Sequence, residues 1–389
     1  MFQAFFNGLA GMLSFSRNLD NISDNIANMN TPGFKGKDTF YRSLTSENGA
    51  LGAQISGNGY RFGDGDIRQT GNAGDLAISG EGFFVLLNDG EVQYTRAGQF
   101  QFNDEGILID SNSGGQVAAV NAKGELVPID ISSYRVLAPT PTTTIDFAGN
   151  LSTDMTSHDV AGITVFNGLG ESLDLTFKFT NNSAVTAGSW LVDIEDADGN
   201  VIHSGEIRFD VDGTPLTDFN TLSFDITDLN GGTDTISVNF GVNGSFADST
   251  SVSGGASSTI QGTVVDGHAI SSLTKVSFSS DGTINLEYAN GETLDGPNIA
   301  LATFADQSNL EQVSGSVFRA LEGSSRTIGQ PGEKGLGTLV AESIELSNVD
   351  LSREFADMII IQRGYQASSR ILNVANQLLD QLYENTRSR

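Results

Sequence analysis

The sequence of 389 residues contains no cysteine, and its 20 lysine and arginine residues stand against 48 aspartate and glutamate residues. Without cysteine, neither disulfides nor thiolate metal sites can hold domains together, so stability must come from packing. The formal net charge of −28 argues against the basic surface that nucleic acids or anionic membranes require. We therefore expect no nucleic-acid partner.

Long apolar runs are also missing. No stretch approaches the roughly 20 apolar residues that a membrane helix requires, so we expect no membrane insertion. Residues 1–30 lack the basic start, compact apolar core and small-residue cleavage site of a Sec signal peptide. Any export would therefore use a different route.

Candidate catalytic or metal-binding residues are sparse. The histidines His158, His203 and His268 have no partner at ligand spacing, which favours solvated side chains. The acidic run 193–199 only faintly resembles a calcium loop, because Ile194 occupies a ligand position and a hairpin turn explains the run better. Paired carboxylates are frequent by chance among so many acidic residues. We expect no enzyme activity, cofactor or metal.

The negative charge is concentrated in the middle of the chain. Residues 1–42 carry four basic and three acidic side chains, and residues 333–389 carry six basic and eight acidic ones. Residues 43–332 carry ten basic and 37 acidic side chains. Near-neutral ends around an acidic centre indicate ends that pack against each other or against neighbours, with a solvated centre.

Both ends of the chain show helical periodicity. Apolar residues recur at spacings of three, four and seven in residues 1–29, before Pro32 ends the helix: Phe5, Leu9, Met12, Leu19, Ile22 and Ile26. A heptad-like stripe follows a capping-type start at residues 347–350: Leu351, Phe355, Met358, Tyr365, Leu372, Leu379 and Leu382. A single amphipathic helix usually packs in the core of its domain. Two such helices, each joined to a polar, glycine-rich stretch, predict a helical stem.

Between the helices the apolar period changes to two, as in half-buried strands. It is clearest in residues 84–86, 92–94, 100–102, 173–179, 190–194, 236–242 and 284–288. Turn dipeptides such as Asp89-Gly90 and Asn290-Gly291 separate these segments and suit tight hairpins. The pattern predicts antiparallel β structure built from local hairpins.

The predicted fold is mainly β with terminal α-helices, in a nested multidomain arrangement. A proline-rich stretch at 139–142 and a low-complexity run at 248–258 indicate domain boundaries. The predicted parts are a helical stem (1–30 and 349–389), a linker region (31–72 and 333–348), an inner β domain (73–143 and 267–332) and an inserted outer β domain (144–266).

Three sequence blocks resemble signatures of the bacterial flagellar rod and hook protein family. The first is NIANMNTPGFK at residues 25–35. The second is TGNAGDLAISGEGFF at 70–84 with YTRAGQF at 94–100. The third is SNVDL at 347–351 with Met358-Ile359 and QRGYQ at 362–366. Within the first block, Asn25 and Asn28 lie near a helix end that they can cap, and Gly33 before Phe34 permits a sharp exit.

The resemblance implies an axial protein that polymerises into a tube. The terminal helices would line the inner tube and the β domains would form outer layers. The implied assembly interface comprises the two apolar stripes together with Asn25, Asn28, Gly33 and Phe34. The implied partners are further copies of the chain, flagellar rod, hook cap and hook–filament junction proteins, and the flagellar type III export apparatus. The implied location is extracellular, in the flagellar hook.

Within this family the insertion at 144–266 favours a hook subunit, a flexible joint that transmits torque from rod to filament, because rod proteins are shorter. Residues 166–170 are similar to a hairpin common in hook subunits, with Asn167 where aspartate is usual. Two alternatives stay open at this point. One is a distal rod protein of the same family, and the other is a secreted β-rich protein that binds or cleaves glycans.

Overall fold

A computed structural model describes residues 2–46, 49–121, 123–228 and 230–387. The chain divides into two compact units. Unit 1 comprises Met1–Ser133, Lys275–Leu286 and Thr293–Arg389, and unit 2 comprises Tyr134–Thr274 and Glu287–Glu292. Unit 2 is therefore inserted in the chain of unit 1.

The two predicted terminal helices are confirmed as α1 (Phe2–Ala27) and α2 (Leu351–Arg387), and both belong to unit 1. Asp350 caps α2, because its Oδ1 accepts hydrogen bonds from the amides of Ser352 at 2.8 Å and Arg353 at 3.3 Å. In the part of the chain that the structure describes, no helix is long and apolar enough to cross a membrane.

The helices pack antiparallel through small residues, a contact that we call the helix pair. A Cβ placed on Gly11 would lie 3.6 Å from the Cβ of Ser368, and one on Gly364 would lie 2.6 Å from the ring of Phe15. Gly8 lies against the backbone of Ser368 in the same way. The absence of side chains at these glycines lets the two helices approach closely.

Unit 1 contains a large sheet, whose strand order differs from the order along the chain, and three two-stranded ladders. The strand order of its main path is β25-β26-β6-β5-β9-β8-β7, and β1–β2, β3–β29 and β4–β28 form the ladders. The strands before unit 2 are β1 (Lys37–Ser46), β2 (Gly49–Tyr60), β3 (Ile67–Gln69), β4 (Leu76–Ser79), β5 (Phe83–Asn88), β6 (Glu91–Thr95), β7 (Phe100–Phe102), β8 (Leu108–Asp110), β9 (Gln116–Val120) and β10 (Leu126–Pro128). A short 3₁₀ helix follows at Ser132–Tyr134.

The remaining strands of unit 1 follow the insertion. They are β23 (Thr293–Asn298), β24 (Leu301–Phe304), β25 (Leu310–Ser314), β26 (Val317–Ala320), β27 (Arg326–Gly329), β28 (Thr338–Ala341) and β29 (Ser343–Glu345), with a 3₁₀ helix at Gln307–Asn309. Aromatic residues dominate the core under the sheet, where Phe83, Phe304 and Phe318 pack edge to face.

Unit 2 is a sandwich of two sheets, ordered β17-β18-β12-β19 and β13-β14-β15-β16, with β20 paired to β12. Phe147 of the first sheet packs on Phe177 of the second at 5.0 Å between ring centroids. The strands are β11 (Val136–Leu137), β12 (Thr144–Asn150), β13 (Ser157–Phe166), β14 (Ser172–Asn181), β15 (Ser189–Glu195), β16 (Val201–Arg208), β17 (Thr221–Thr227), β18 (Thr233–Asn239), β19 (Ser249–Thr250) and β20 (Gln261–Val264). Strands β21 (Ser271–Phe278) and β22 (Thr283–Tyr288) each run from one unit into the other.

The alternating segments of the sequence form strands, except that the strand predicted at 236–242 ends at Asn239, and the turn chemistry is confirmed where β5 meets β6. Asp89 and Gly90 have φ of +49° and +83° in a two-residue loop, as a type I′ turn requires. The prediction of local antiparallel hairpins throughout was wrong for β12, which pairs in parallel with β18 and β19. Alternation gives the period of a strand but not its direction or its distant partner.

The structure also differs from the predicted linker region at 31–72 and 333–348. Lys37–Ser46 and Gly49–Tyr60 pair as the long antiparallel strands β1 and β2, and β3 and β4 pair with β29 and β28. Strand β2 has four glycines among its 12 residues, and β3, β4, β28 and β29 are only three or four residues long. They therefore lack the apolar alternation that identifies a strand in a sequence.

Both predicted boundary stretches are packed in unit 2. Thr142, in the proline-rich stretch, is fully buried, and Thr140 exchanges backbone hydrogen bonds with His268 at 2.9 and 3.0 Å. In the low-complexity run, the Ser251 hydroxyl accepts a hydrogen bond from Trp190 Nε1 at 3.0 Å. Serine hydroxyls hold this run in place by hydrogen bonds rather than by apolar contacts. Its composition therefore resembles that of a linker, although the run is packed.

We predict that a fragment of residues 140–268 folds alone, because the whole apolar cluster of unit 2 lies between Ile145 and Val264. It should unfold in one cooperative thermal transition, followed by the fluorescence of Trp190, the only tryptophan and fully buried. A shorter fragment, 144–266, lacks the Thr140–His268 pair and should melt at lower temperature. Non-cooperative melting of both fragments would contradict the prediction.

Candidate functional site

Residues of the first two sequence blocks meet in unit 1 around the carboxylate of Glu345 on β29, two residues before the third block. Its Oε1 accepts hydrogen bonds from Lys35 Nζ at 2.6 Å and the Gly65 amide at 2.8 Å, and its Oε2 accepts from Arg96 Nη1 at 3.0 Å. Its backbone carbonyl accepts from the Gly33 amide at 2.9 Å. One residue thereby holds three separate chain segments, at residues 33–35, Gly65 and Arg96.

The Glu345 carboxylate is buried together with its cations. The side chains of Lys35, Arg96 and Glu345 are 0%, 3% and 1% exposed. Burial lowers the pKa of the Lys35 ammonium and the neighbouring Arg96 charge lowers it further, whereas Glu345 raises it. Such a group is stable only when all its members are present. Removing one member leaves the other charges buried without a partner, which is energetically costly.

A second carboxylate, Glu354 in the first turn of α2, holds the helix pair to the paired strands β1 and β2. Its Oε1 lies 2.5 Å from Nη2 of Arg61, at the end of β2, and its Oε2 accepts from Asn25 Nδ2 at 3.2 Å. Asn25 also pairs with the backbone of Lys37, accepting from its amide at 2.8 Å and donating to its carbonyl at 3.0 Å. We call Glu354, Arg61 and Asn25 the clasp, and the clasp with the Glu345 group the signature junction.

Asn348 and Gly33 complete the signature junction. The Asn348 side chain accepts from the Gly36 amide at 2.9 Å and donates to the Gly63 carbonyl at 2.8 Å. Gly33 has φ +64°, and a Cβ there would lie 2.3 Å from the Ala97 nitrogen. Only glycine fits this position, for both conformation and space.

The other residues predicted in this block have simpler surroundings. Asn28 Nδ2 donates to the Asp24 carbonyl at 2.9 Å, which satisfies a carbonyl at the end of α1. The Phe34 side chain is buried in the interior of unit 1. Asn25 and Asn28, although similar in sequence, therefore have different roles, one in tertiary contact and one in local capping.

The apolar stripe of α1 is mostly half-buried. Ile22 is buried, and the other members are intermediate in exposure: Phe5, Leu9, Met12, Leu19 and Ile26. On α2, four stripe residues are half-buried and two are exposed: Leu351, Met358, Leu372 and Leu379, then Phe355 and Tyr365. The side chain of Leu382 lies outside the described residues.

Sequence reasoning missed the buried seam of α2, which is Glu354, Ile361, Ser368 and Ala375. These residues lie at heptad spacing, three positions after the predicted stripe of 351, 358, 365 and 372. Three of the four are small or charged, so apolar content did not reveal them. Sequence reasoning also missed Arg61, Arg96 and Glu345. Arg61 and Arg96 lie close to glycines in the sequence, whereas Glu345 does not.

Part of the helix pair exposes large apolar side chains to solvent. Exposed members on α2 are Ile359, Ile360, Ile371, Val374 and Leu378, and on α1 they are Phe6 and Leu13. An apolar groove of about 280 Å³ is lined by Ala4 of α1 and by Val374, Ala375 and Leu378 among the α2 residues. An exposed apolar face of this extent is typical of a protein contact surface.

We predict that Glu345→Gln lowers the stability of unit 1 by about 3–5 kcal/mol, since it leaves Lys35 and Arg96 buried without their counter-charge. Urea unfolding of unit 1 can be followed by the helical circular dichroism, because both α-helices belong to it. Trp190 fluorescence, which reports unit 2, should be unchanged. The matched control is Asp64→Asn, whose carboxylate is 57% exposed and 3.3 Å from Arg96; it should cost about 1 kcal/mol or less. Equal effects of the two variants would contradict the prediction.

Three protein-family models match the chain, and each overlaps one of the three signature blocks. "Flagella basal body rod protein" matches residues 7–35, and "Flagellar hook protein FlgE/F/G D1 domain" matches residues 77–153. "Flagellar basal body rod FlgEFG protein C-terminal" matches residues 340–384. The matches therefore fall on α1 with the following turn, on the sheet of unit 1 and the start of unit 2, and on α2.

Whole-chain relatives and a solved structure extend the likeness beyond these models. The crystal structure of Helicobacter pylori flagellar hook protein FlgE2 matches with a TM-score of 0.50 at 13% identity, covering 72% of this chain and all of that one, which concerns the fold alone. The flagellar hook protein FlgE of Escherichia coli is 29% identical over 404 residues, covering 97% of this chain and 99% of that protein. That of Brucella suis is 30% identical over 400 residues, covering 96% of each. Since this similarity runs through both units and both helices, the chain belongs to the flagellar hook protein family.

Proposed function

We propose that the protein is the structural subunit of a bacterial flagellar hook, and that it polymerises into a flexible tube that transmits torque from rod to filament. The observation that carries this proposal is the similarity to hook proteins over nearly the full length of both chains. It includes the inserted unit, which favours a hook subunit over a shorter distal rod protein.

The exposed apolar faces of the helix pair supply a surface for further copies of the chain. A second copy that covers Val374 and Leu378 would remove apolar area from water at about 25 cal/mol per Å². The same surface is present on every copy, so a head-to-tail contact that does not close into a ring repeats as a helical polymer. The predicted stripe residues that are half-buried, such as Leu372 and Leu379, would gain further burial there.

Flexibility of the tube would come from weak contacts between copies. Unit 2 carries three basic and 20 acidic side chains, so copies of it repel one another and keep their surfaces solvated. Such contacts can slide at low energetic cost. The signature junction, in contrast, is a buried charged network and would keep the helix pair attached to the sheet of unit 1 under load.

The remaining assignments follow from the family. The protein would be exported by the flagellar type III apparatus and would lie outside the cell, in the hook. Its partners would be copies of itself, the rod, the hook cap and the hook–filament junction proteins. Its role would be structural, without catalysis or a cofactor.

Electron microscopy of the purified protein under polymerising conditions tests the proposal. We expect tubes with a regular helical repeat, and curved rather than straight forms. A protein that stays monomeric under all conditions that polymerise other hook proteins, or that cleaves polysaccharides, would overturn it.

We predict that Val374→Ser with Leu378→Ser blocks assembly while the monomer stays folded. Both side chains are exposed, at 54% and 44%, so their loss should change monomer stability by about 0.5 kcal/mol or less. Sedimentation and electron microscopy measure the polymer, and thermal unfolding measures the fold.

Two further double variants serve as comparisons for the Val374 and Leu378 variant. Val185→Ser with Val211→Ser removes two exposed apolar side chains of unit 2 and should leave assembly intact. Leu372→Ala with Leu379→Ala should weaken both assembly and the helix pair, because Leu372 also packs on Gly8 within the chain. Normal tubes from the Val374 and Leu378 variant would contradict the assignment of this face.

A further inference from the structure

The seam of the helix pair contains few features that could fix its axial register. Its α2 positions repeat every seven residues, and two of the four, Ser368 and Ala375, are small. The opposing α1 positions include Gly8, Gly11 and Ser14. Sliding α2 by one heptad, about 10 Å, would place Ala375 against Gly11 instead of Ser368, a contact of nearly the same size.

The clasp distinguishes the native register from the shifted ones. Glu354 is 2% exposed, and its two oxygens are bound by groups from different elements, Arg61 after β2 and Asn25 in the last turns of α1. In either shifted register this carboxylate would lose both partners. A buried charge without its partner is far more costly than a changed contact between small side chains.

We propose that Glu354 is a positioning residue that sets the register of α2 on α1. A single polar group in a helical seam is a well-attested way to specify register. The register is a property of the single chain, so it does not depend on assembly. It does determine which apolar side chains of the two helices lie side by side on the exposed face.

One other contact could set the register, the packing of the Phe15 ring on Gly364. A Cβ at Gly364 would lie within 2.6 to 2.9 Å of three atoms of that ring, so the contact is specific. In the register shifted by one heptad, Ile371 would take the place of Gly364, so the Phe15 side chain would have to turn away to avoid a clash. The buried carboxylate has no comparable substitute, because Arg61 and Asn25 are themselves fixed by Asp38 and the Lys37 backbone.

Introduced cysteines can test the proposal cleanly, because the chain has none of its own. Gly11→Cys with Ser368→Cys reports the native register, since the Cβ separation of 3.6 Å suits a disulfide. Gly11→Cys with Ala375→Cys reports a shift by one heptad. Each pair is oxidised in the full-length protein, and mass spectrometry of the monomer band counts only cross-links within one chain.

In the parent chain we expect the native pair to cross-link and the shifted pair to fail. Adding Glu354→Gln should lower the ratio of native to shifted cross-link by about tenfold or more, and Arg61→Gln should do the same from the other side of the clasp. The matched control is Asp357→Asn on the same helix, whose carboxylate is 46% exposed beside Arg353; it should leave the ratio unchanged. Trp190 fluorescence verifies that unit 2 stays folded.

An unchanged ratio in both clasp variants would overturn the proposal. So would a shift caused by Gly364→Ala alone, which would assign the register to Phe15. Failure of the native pair to cross-link in the parent chain would contradict the helix pair itself. None of these outcomes bears on whether the protein forms tubes, which microscopy of the cysteine-free chain decides separately.

Discussion

A carboxylate buried between two cations is the interaction on which unit 1 depends. Glu345 is almost inaccessible to water, and it holds Lys35 and Arg96 by direct contacts of 2.6 and 3.0 Å. Lys35 follows α1, Arg96 lies at the end of β6, and Glu345 precedes α2. Because a buried charge tolerates no missing partner, these distant segments must come together simultaneously or not at all.

The helix pair shows the same use of polar groups where an apolar seam would be expected. Glycine and serine bring the helices close, and the clasp joins their ends to the paired strands β1 and β2. Many of the large apolar side chains, Val374 and Leu378 among them, lie instead on the exposed face. This division of roles is what a subunit needs when its own fold and its contacts with further copies must use different surfaces.

Periodicity predicted the two helices and the main strands, because both depend on local patterns of apolar residues. It could not predict the pairing of β1 with β2, because four glycines in β2 interrupt the alternation of apolar residues. It also could not show that the serine-rich run at 248–258 is packed, because hydrogen bonds such as that of Ser251 with Trp190 leave no apolar pattern. The family resemblance located Asn25, Gly33 and Phe34, but not Glu345 or Glu354. Their importance comes from partners about 250 to 330 residues away in sequence, which no spacing rule connects.

We expect the signature junction to be rigid and closed to water. Amide hydrogen exchange of the full-length protein measures this directly. The Gly65 amide donates to the Glu345 carboxylate, and the Gly33 amide donates to its backbone carbonyl. Both amides should exchange as slowly as those of the central strands β5 and β6, because opening either exposes a buried charge. Exchange as fast as at the exposed turn of Asn290 and Gly291 would show that the junction opens freely, and would contradict this account.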